Sequence, residues 1–194
     1  MTQMSGAKFL AETMHGYGVS HFFFMPVIVA DAMPEMERLG ITRVMAHSEK
    51  PAAYMADGYA RASRSVAFCG AQSVGANNLA AGLQDAYLAS SPVVALTGRL
   101  PQELQDRWAY QEVDHASPFS AVTKYSSRVN STDQLPMFLR QAIREATTGT
   151  PGPAHLDLAG IAGGDISTGE ADIDVVIEEQ FTSASFENRR LIEA

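Results

Sequence analysis

The sequence predicts an α/β domain in which a doubly wound, parallel sheet of about six strands carries helices on both faces. Three observations support this fold class. Short, continuously apolar segments alternate along the chain with stretches whose apolar residues recur at helical spacing. The 194 residues suit one domain of about 160 residues followed by a tail. Apolar residues make up 46% of the chain, the usual share for a packed core.

The apolar segments predict strands that are buried on both faces, because a strand with one solvated face would alternate between apolar and polar residues. The predicted strands cover residues 20–25, 42–46, 65–69, 92–97, 124–129 and 153–158. The single cysteine, Cys69, lies in the third strand and is expected to be a buried thiol rather than a nucleophile. One cysteine excludes an internal disulfide and favours a cytoplasmic location.

The helices are predicted from apolar periodicity and from the residues that begin or end them. They cover residues 6–16 and 30–39, a segment from Ser48 to about residue 63, and residues 75–89 and 132–147. Gly16 or Gly18 is expected to end the first helix, because glycine adopts the left-handed conformation without strain. Ser48 is expected to cap the third helix, with Pro51 in the first turn, where a missing N–H is harmless.

Two segments have no clear periodicity. Residues 98–118 form a long predicted loop, and such loops in compact domains are usually functional. From residue 161 the chain becomes acidic and rich in small polar residues. We therefore expect a domain at 1–162 and an acidic linker at 163–194, whose last ten residues begin a further helix. Because that helix has no terminal cap, the chain is interpreted as a fragment of a longer protein or a separately encoded subunit.

Charge and motif content argue against several functions. The net charge is −8 and the arginines are scattered, so a general nucleic-acid partner is not expected. No apolar run reaches the ~18 residues that a membrane span needs, and no membrane partner is expected. The spacing of histidines and acids suggests no metal site. A Gly-x-Gly-x-x-Gly motif is missing after the first strand, which disfavours a nicotinamide-dependent dehydrogenase.

Glu49 is the leading candidate for a chemical role. Ligands of parallel α/β sheets bind outside the carboxyl ends of the strands, and Glu49 opens a helix directly after the second predicted strand. A carboxylate there lies near the positive end of the helix dipole. Position alone leaves two interpretations open, an ordinary glutamate of a first helical turn or an active-site acid, and by itself it favours the ordinary glutamate.

The segment 49–61 resembles the motif that follows the second strand in acetolactate synthases, benzoylformate decarboxylases and their relatives. That motif has a glutamate, two small residues, an apolar pair and Gly-Tyr-Ala-Arg. Further segments are similar to that family in the correct order, namely residues 75–86, 91–98, 110–114, 122–124 and 149–157. On these motifs, residues 5–160 are identified as an N-terminal PYR-type domain of the thiamine-diphosphate-dependent enzymes.

The resemblance implies a role for Glu49 as the catalytic acid of a half active site. In this family a carboxyl group bonded to the pyrimidine N1′ favours the imino tautomer, which removes the proton from C2 of the thiazolium. Such a carboxyl must exchange a proton near neutral pH, above its solution pKa of about 4.3. We therefore expect Glu49 to be shielded in the assembled enzyme.

The other site residues follow from the same resemblance. Cofactor contacts are implied for Glu49, Gly75, Asn78 and Pro26. Substrate contacts are implied for Val27, Tyr110, Gln111 and Ser73. The diphosphate and its Mg²⁺ are implied to be bound by another domain, either in the same longer chain or in a second subunit. The enzyme is expected to be a homo-oligomer, dimer or tetramer, and this chain is expected to be inactive alone.

The chain departs from the family pattern at several positions. It has Met25-Pro26-Val27-Ile28 where relatives often have Gly-x-Pro-Gly, and Ser73-Val74-Gly75 where they have Gly-Pro-Gly. His47-Ser48 replaces an Arg-His pair, and Lys50 replaces a frequent glutamine. These changes weigh against branched-chain acetolactate synthesis and favour another substrate.

Two questions stay open at this point. His47 and His115 fall at the ligand edge of the predicted sheet and are candidates for proton transfer, although a lone histidine is more often structural. His15, His21 and His155 are interpreted as structural. The alternative to a catalytic domain is a non-catalytic partner subunit that completes or regulates a two-chain decarboxylase.

Overall fold

The computed structural model describes residues 2–178. In chain order the strands are β1 (Thr2–Ser5), β2 (His21–Phe24), β3 (Thr42–Met45), β4 (Ala67–Gln72), β5 (Val93–Gly98), β6 (Tyr125–Val129), β7 (Ala154–Leu158) and β8 (Glu170–Ile173). Six of them form one parallel sheet in the spatial order β3-β2-β4-β5-β7-β6. The predicted parallel sheet of about six strands is confirmed.

Helices cover both faces of this sheet. They are α1 (Gly6–Gly16), α2 (Met33–Arg38), α3 (Glu49–Ser63), α4 (Gly75–Leu88), α5 (Ala116–Ser120), α6 (Leu135–Thr147) and α7 (Gly164–Thr168). On one face α1, α2 and α6 bury large side chains such as Phe9, Met36 and Leu139 against the strands. On the other face α3 and α4 bury mainly alanines, so these two helices approach the sheet and each other closely. The doubly wound arrangement is therefore also confirmed.

Several helix and strand ends differ from the predicted ones. Ser48 precedes α3 in an extended conformation, but its side chain makes no capping hydrogen bond. The third predicted strand starts two residues later, at Ala67, because Arg64 ends α3 in the left-handed conformation and the chain then needs Ser65 and Val66 to reach the sheet. The long loop contains a short 3₁₀ turn, Gln102–Leu104, and the short helix α5.

The linker predicted from residue 163 is wrong for residues 164–173. This segment forms α7 and β8, and β8 pairs antiparallel with β1. The amide of Gly6 donates to Gly169 O at 3.0 Å, and Thr132 Oγ1 donates to Ile166 O at 3.0 Å. Both strands are only four residues long and lack a clear apolar alternation. The sequence therefore shows no local strand signal for this pairing between the two ends of the domain. The helix predicted at 185–194 lies outside the described residues.

The segment between β7 and α7 crosses the carboxyl edge of the sheet, and we call residues 159–163 the crossing segment. Val29, after β2, donates its amide to Ala162 O at 2.8 Å. At the end of β5, a Cβ added to Gly98 would lie 2.3 Å from the nitrogen of Gly163. The crossing segment therefore packs directly on a glycine and ties the turn after β2 to the end of β7.

A polar group lies inside the core between β5, β6 and β7. His155 Nδ1 is 2.8 Å from Ser126 Oγ, and its Nε2 is 2.8 Å from Thr97 Oγ1. The ring stacks on Phe119 with 3.6 Å between the ring centroids. Burial lowers the pKa of His155 from 6.5 to about 3, with the repulsion of His115 adding to the effect and the attraction of Asp157 opposing it. His155 is therefore a neutral, hydrogen-bonded core residue.

Within residues 2–178 no helix has the length and apolar character that crossing a bilayer demands. The same stretch holds no cluster of three or more histidine, cysteine, aspartate or glutamate side chains that could bind a metal ion.

Replacing Gly98 with alanine should destabilise the domain by about 2 kcal/mol or more, because the new methyl group would collide with backbone atoms of the crossing segment. Gly58→Ala is the control, since a Cβ at Gly58 meets nothing within 4 Å and lies on a helix. That control should be neutral or stabilising by up to about 1 kcal/mol. Urea denaturation of both variants measures the difference, and equal stability of the two would show that the crossing segment moves aside freely.

The folded pKa of His155 lies below its ordinary value, so the folded state takes up fewer protons than the unfolded chain between about pH 6.5 and pH 3. Stability that is fully present above pH 6.5 is therefore lost as the pH falls. From pH 7 to pH 5.5 the loss should be about 1.3 kcal/mol larger than in His155→Gln, which cannot titrate. Urea denaturation at the two pH values tests this, and parallel pH dependence in both proteins would contradict it.

Candidate functional site

Glu49 meets Asn78 where the helices that follow β3 and β4 begin side by side. Glu49 is the first residue of α3 and is half-buried. One of its carboxylate oxygens, Oε2, accepts a hydrogen bond from Asn78 Nδ2 at 3.2 Å. Asn78 lies on the first turn of α4. The carboxylate is thus oriented by a neutral donor and lies at the positive end of a helix.

Two glycines of α4 make this meeting possible. A Cβ added to Gly75 would lie 2.6 Å from Glu49 Oε1, a distance that real Cβ atoms essentially never show. About two turns later, a Cβ on Gly82 would lie 2.7 Å from both the Cβ of Ala53 and the carbonyl oxygen of Lys50. Since neither glycine has a positive φ, the missing side chains serve close approach rather than a special backbone conformation.

The turn before α4 brings Ser73 and Gln111 to the same place. Ser73 is buried, and its amide donates to Gly98 O at 3.0 Å. Its φ is +33°, which is a strained value for a residue with a Cβ. The following amide, that of Val74, donates to Gln111 Oε1 at 3.5 Å. The structure therefore gathers five of the predicted site residues around the start of α4, namely Glu49, Gly75, Asn78, Ser73 and Gln111.

Pro26, Val27 and Tyr110 lie at the same edge of the sheet but are not tied to this group. Pro26 and Val27 follow β2, which lies between β3 and β4, and both are exposed. Tyr110 is 86% exposed. Among the hydrogen bonds of residues 2–178, none joins these three residues to Glu49 or Asn78. They form an open rim instead of a closed wall.

The loop that carries Tyr110 is organised by Glu112, which was not singled out from the sequence. The Glu112 carboxylate accepts hydrogen bonds from the amides of Asp106 and Ala109. These backbone donors, Asp106 first, lower the pKa of Glu112 below its usual value. Trp108, inside the loop held by these bonds, is 98% exposed. Glu112 lies in a loop without periodicity, so the sequence gave no signal that backbone amides of the same loop would donate to its carboxylate.

His115 and His47 have different surroundings. His47 is exposed. His115 is 1% exposed, with Nδ1 2.8 Å from Asp157 Oδ1 and Nε2 2.9 Å from the carbonyl oxygen of Ser73. Asp157 was also missed in the sequence, although a carboxylate within the apolar strand β7 is unusual and could have indicated a buried polar network. Arg99 completes this network, with Nε 3.6 Å from Asp157 Oδ2.

The arrangement can hold one carboxylate in a fixed orientation at the carboxyl edge of the sheet. Asn78 satisfies one oxygen of Glu49, while the helix end favours a negative charge on the group. A ligand atom that alternates between accepting and donating a proton would be a suitable partner for such a carboxylate. Beside this carboxylate, the amide of Ser73 donates to Gly98 O and the amide of Val74 donates to Gln111 Oε1, and these bonds hold the turn before α4.

Comparison with known proteins identifies the family. The family model "Thiamine pyrophosphate enzyme, N-terminal TPP binding domain" matches residues 4–117. The probable acetolactate synthase large subunit of Methanocaldococcus jannaschii is 36% identical over 176 residues, which cover 88% of this chain and 29% of that protein. The acetolactate synthase isozyme 2 large subunit of Escherichia coli K12 is 37% identical over 159 residues, which cover 80% of this chain and 29% of that protein.

A plant relative shows the same partial coverage. The chloroplastic acetolactate synthase of Arabidopsis thaliana is 33% identical over 159 residues, which cover 79% of this chain and 23% of that protein. The chain thus spans less than a third of the length of these relatives. The match nevertheless includes Glu49, Gly75, Asn78 and Gln111 in one continuous region. The chain belongs to the thiamine pyrophosphate enzymes, and within them it is an N-terminal TPP-binding domain of the acetolactate synthase-like type.

Proposed function

We propose that this chain supplies the acid that activates the aminopyrimidine of thiamine diphosphate, and that Glu49 is this acid. The observation that carries the proposal is the geometry at the start of α4, where Asn78 orients the Glu49 carboxylate and Gly75 leaves room for it. A glutamate in an ordinary first helical turn would need neither an adjacent glycine in contact with its carboxylate nor a donor from a second helix.

The residues present fit an aminopyrimidine. Pyrimidine N1′ needs a carboxyl group that shares a proton with it, and Glu49 has one oxygen engaged by Asn78 and the other beside Gly75. When bound, thiamine diphosphate supplies a thiazolium ring that acts as nucleophile and electron sink for bonds next to a 2-oxo group. Glu49 is half-buried in this chain, so the shielding that a proton exchange near neutral pH requires is expected from a partner surface.

Each remaining site residue has an assigned task within this proposal. Asn78 holds the carboxylate plane, and Gly75 keeps the space that Glu49 occupies. Pro26 borders the cofactor after β2, next to the substrate residue Val27. Tyr110 and Gln111 line the substrate side, and Ser73 lies buried behind them in the turn before α4. The link from Gln111 to the amide of Val74 joins the loop to this turn.

The other half of the active site lies outside this chain in the proposed enzyme. The diphosphate and Mg²⁺ are bound by a separate domain, fused or separately encoded, and this chain alone is inactive. The short coverage of its relatives supports this, since the matched region is less than a third of each. The complete enzyme acts as a lyase or transferase on a 2-oxo acid. Val27 on the exposed rim and Ser73 in the buried turn before α4 replace glycines of the family pattern, which gives the enzyme a different substrate site. A cytoplasmic location, supported by the single buried thiol Cys69, completes the proposal.

The outer face of α3 and α4 is the proposed contact with a second copy in a homo-oligomer, dimer or tetramer. Tyr54 and Leu88 are exposed there, Leu88 by 73%, and Gly58 leaves an open position between the helices. The same two helices carry Glu49 and Asn78 at their first turns. A partner that covered this face would exclude water from the apolar side chains and from the carboxylate at once.

Glu49→Gln should slow exchange of the thiamine C2 proton by about 10²–10⁴-fold, because an amide cannot give up a proton to N1′ and take it back. The measurement is C2 proton exchange in D₂O, followed by NMR, with the chain assembled with a diphosphate-binding domain. Glu145→Gln is the control, since Glu145 lies on α6 at the opposite face of the sheet. Unchanged exchange in Glu49→Gln would remove Glu49 from the mechanism.

The same assembly separates the proposal from a non-catalytic partner subunit. If this chain is a catalytic domain, the assembly with the wild-type chain exchanges the C2 proton, and the assembly with Glu49→Gln loses this exchange. A subunit that only completes an interface would leave any exchange by its partner insensitive to Glu49.

Leu88→Lys should weaken self-association about tenfold or more, because a charge would be placed in the proposed apolar contact. Met137→Lys is the matched control, since Met137 is also an exposed apolar residue of a helix, at 57%, but lies on α6. Sedimentation of both variants over a concentration series gives the dissociation constants. If Met137→Lys dissociates the oligomer and Leu88→Lys does not, the contact lies on the other face.

A further inference from the structure

We propose that His115 is a positioning residue that fixes the turn before α4, and that Asp157 holds the His115 ring in place. His115 Nε2 lies 2.9 Å from the carbonyl oxygen of Ser73, and Nδ1 lies 2.8 Å from Asp157 Oδ1. Both side chains are at least nine-tenths buried, with 1% and 3% of their surface exposed. The ring therefore connects strand β7 to the turn that begins the helix of Gly75 and Asn78.

The turn requires such a support because Ser73 is strained. A φ of +33° suits glycine, and the family pattern to which this chain is similar has glycine at this place in Gly-Pro-Gly. A serine keeps this conformation only where its surroundings impose it. The amide of Ser73 is held by Gly98 O at 3.0 Å, and its carbonyl oxygen is held by His115 and by the amide of Ala76 at 2.9 Å.

The hydrogen-bond partners determine where the ring must carry hydrogen. The carbonyl oxygen of Ser73 can only accept, so Nε2 of His115 carries a hydrogen. Asp157 Oδ1 accepts from Thr97 Oγ1 at 2.9 Å, and the 2.8 Å contact with Nδ1 needs a hydrogen of its own. Arg99 faces the second Asp157 oxygen at 3.6 Å and offsets its charge. His115 is thus held by a hydrogen bond at each end of the ring and is fixed in orientation.

The consequence for the site follows from the position of the turn. Gly75 contacts Glu49 and Asn78 donates to it, so a shift of the Ser73 turn would move both neighbours of the carboxylate. Within residues 2–178, the hydrogen bonds and ring contacts of His115 reach no residue with an assigned cofactor or substrate contact except Ser73, and His115 acts through that residue. Its importance for catalysis rests on the proposed function, whereas its hold on the turn does not.

Two substitutions separate the two ends of the ring. In His115→Gln the side-chain amide can reach the position of Nε2 and keep the bond to Ser73, whereas in His115→Asn it reaches only the position of Nδ1. Amide hydrogen exchange of Ala76 in the full chain is the readout, because that amide donates to Ser73 O. We expect about tenfold faster exchange in His115→Asn and less than about threefold in His115→Gln, with the amides of α6 unchanged in both.

Equal acceleration in the two variants would overturn the proposal, because a residue that merely fills space would not distinguish them. If His115→Asn does not fold, the ¹⁵N spectrum of the wild-type ring decides, and an Nε2 without an attached hydrogen overturns the assignment. In the complete assembly, C2 proton exchange should fall more in His115→Asn than in His115→Gln. If Glu49→Gln left C2 proton exchange unchanged while Ala76 amide exchange still distinguished His115→Asn from His115→Gln, the proposed function would be refuted. The positioning role of His115 would then stand.

Discussion

The close approach of α3 and α4 at their first turns is the constraint on which the site depends. Glu49 can lie against the start of α4 because Gly75 has no side chain, and the helices can continue side by side because Gly82 has none either. The buried alanines Ala52, Ala53 and Ala56 have short side chains, so the two helices pack close to the sheet. Small residues on one face and large ones on the other thus have different purposes. One face supplies stability through burial, and the other supplies a short distance between two helix ends.

Two sets of hydrogen bonds fix the segments at the edge of the sheet that carries the site. The crossing segment joins the turn after β2 to the end of β7, while His115 and Gln111 join the long loop to the turn before α4. These hydrogen bonds connect the segments at the carboxyl ends of β2, β4, β5 and β7. Some of them join strands that are not neighbours in the sheet, such as β2 and β7. Such a framework lets a half-buried carboxylate keep its orientation.

The parallel sheet and the cluster around Glu49 could be predicted from the sequence, and the contacts between distant segments could not. Continuous apolar strands carry their own signal, and Glu49, Gly75 and Asn78 belong to motifs with fixed spacing. The pairing of β1 with β8 depends on residues about 170 positions apart and on strands too short to show a period. The Asp157–His115–Ser73 connection likewise joins three segments, and only the carboxylate in a buried strand gave a local hint. Pro26, Val27 and Tyr110 were predicted at the site, and they lie at its open rim, where residues 2–178 alone leave them exposed.

Trp108 gives this architecture a built-in optical reporter. It is the single tryptophan of the sequence, and it projects from the loop that Glu112 organises, with nearly its whole indole in water. Its emission therefore originates from the neighbourhood of Tyr110 and Gln111 and from nowhere else in the protein. Anything that covers this loop will dehydrate the indole and shift its fluorescence toward the blue, so binding events at this loop become visible without a label.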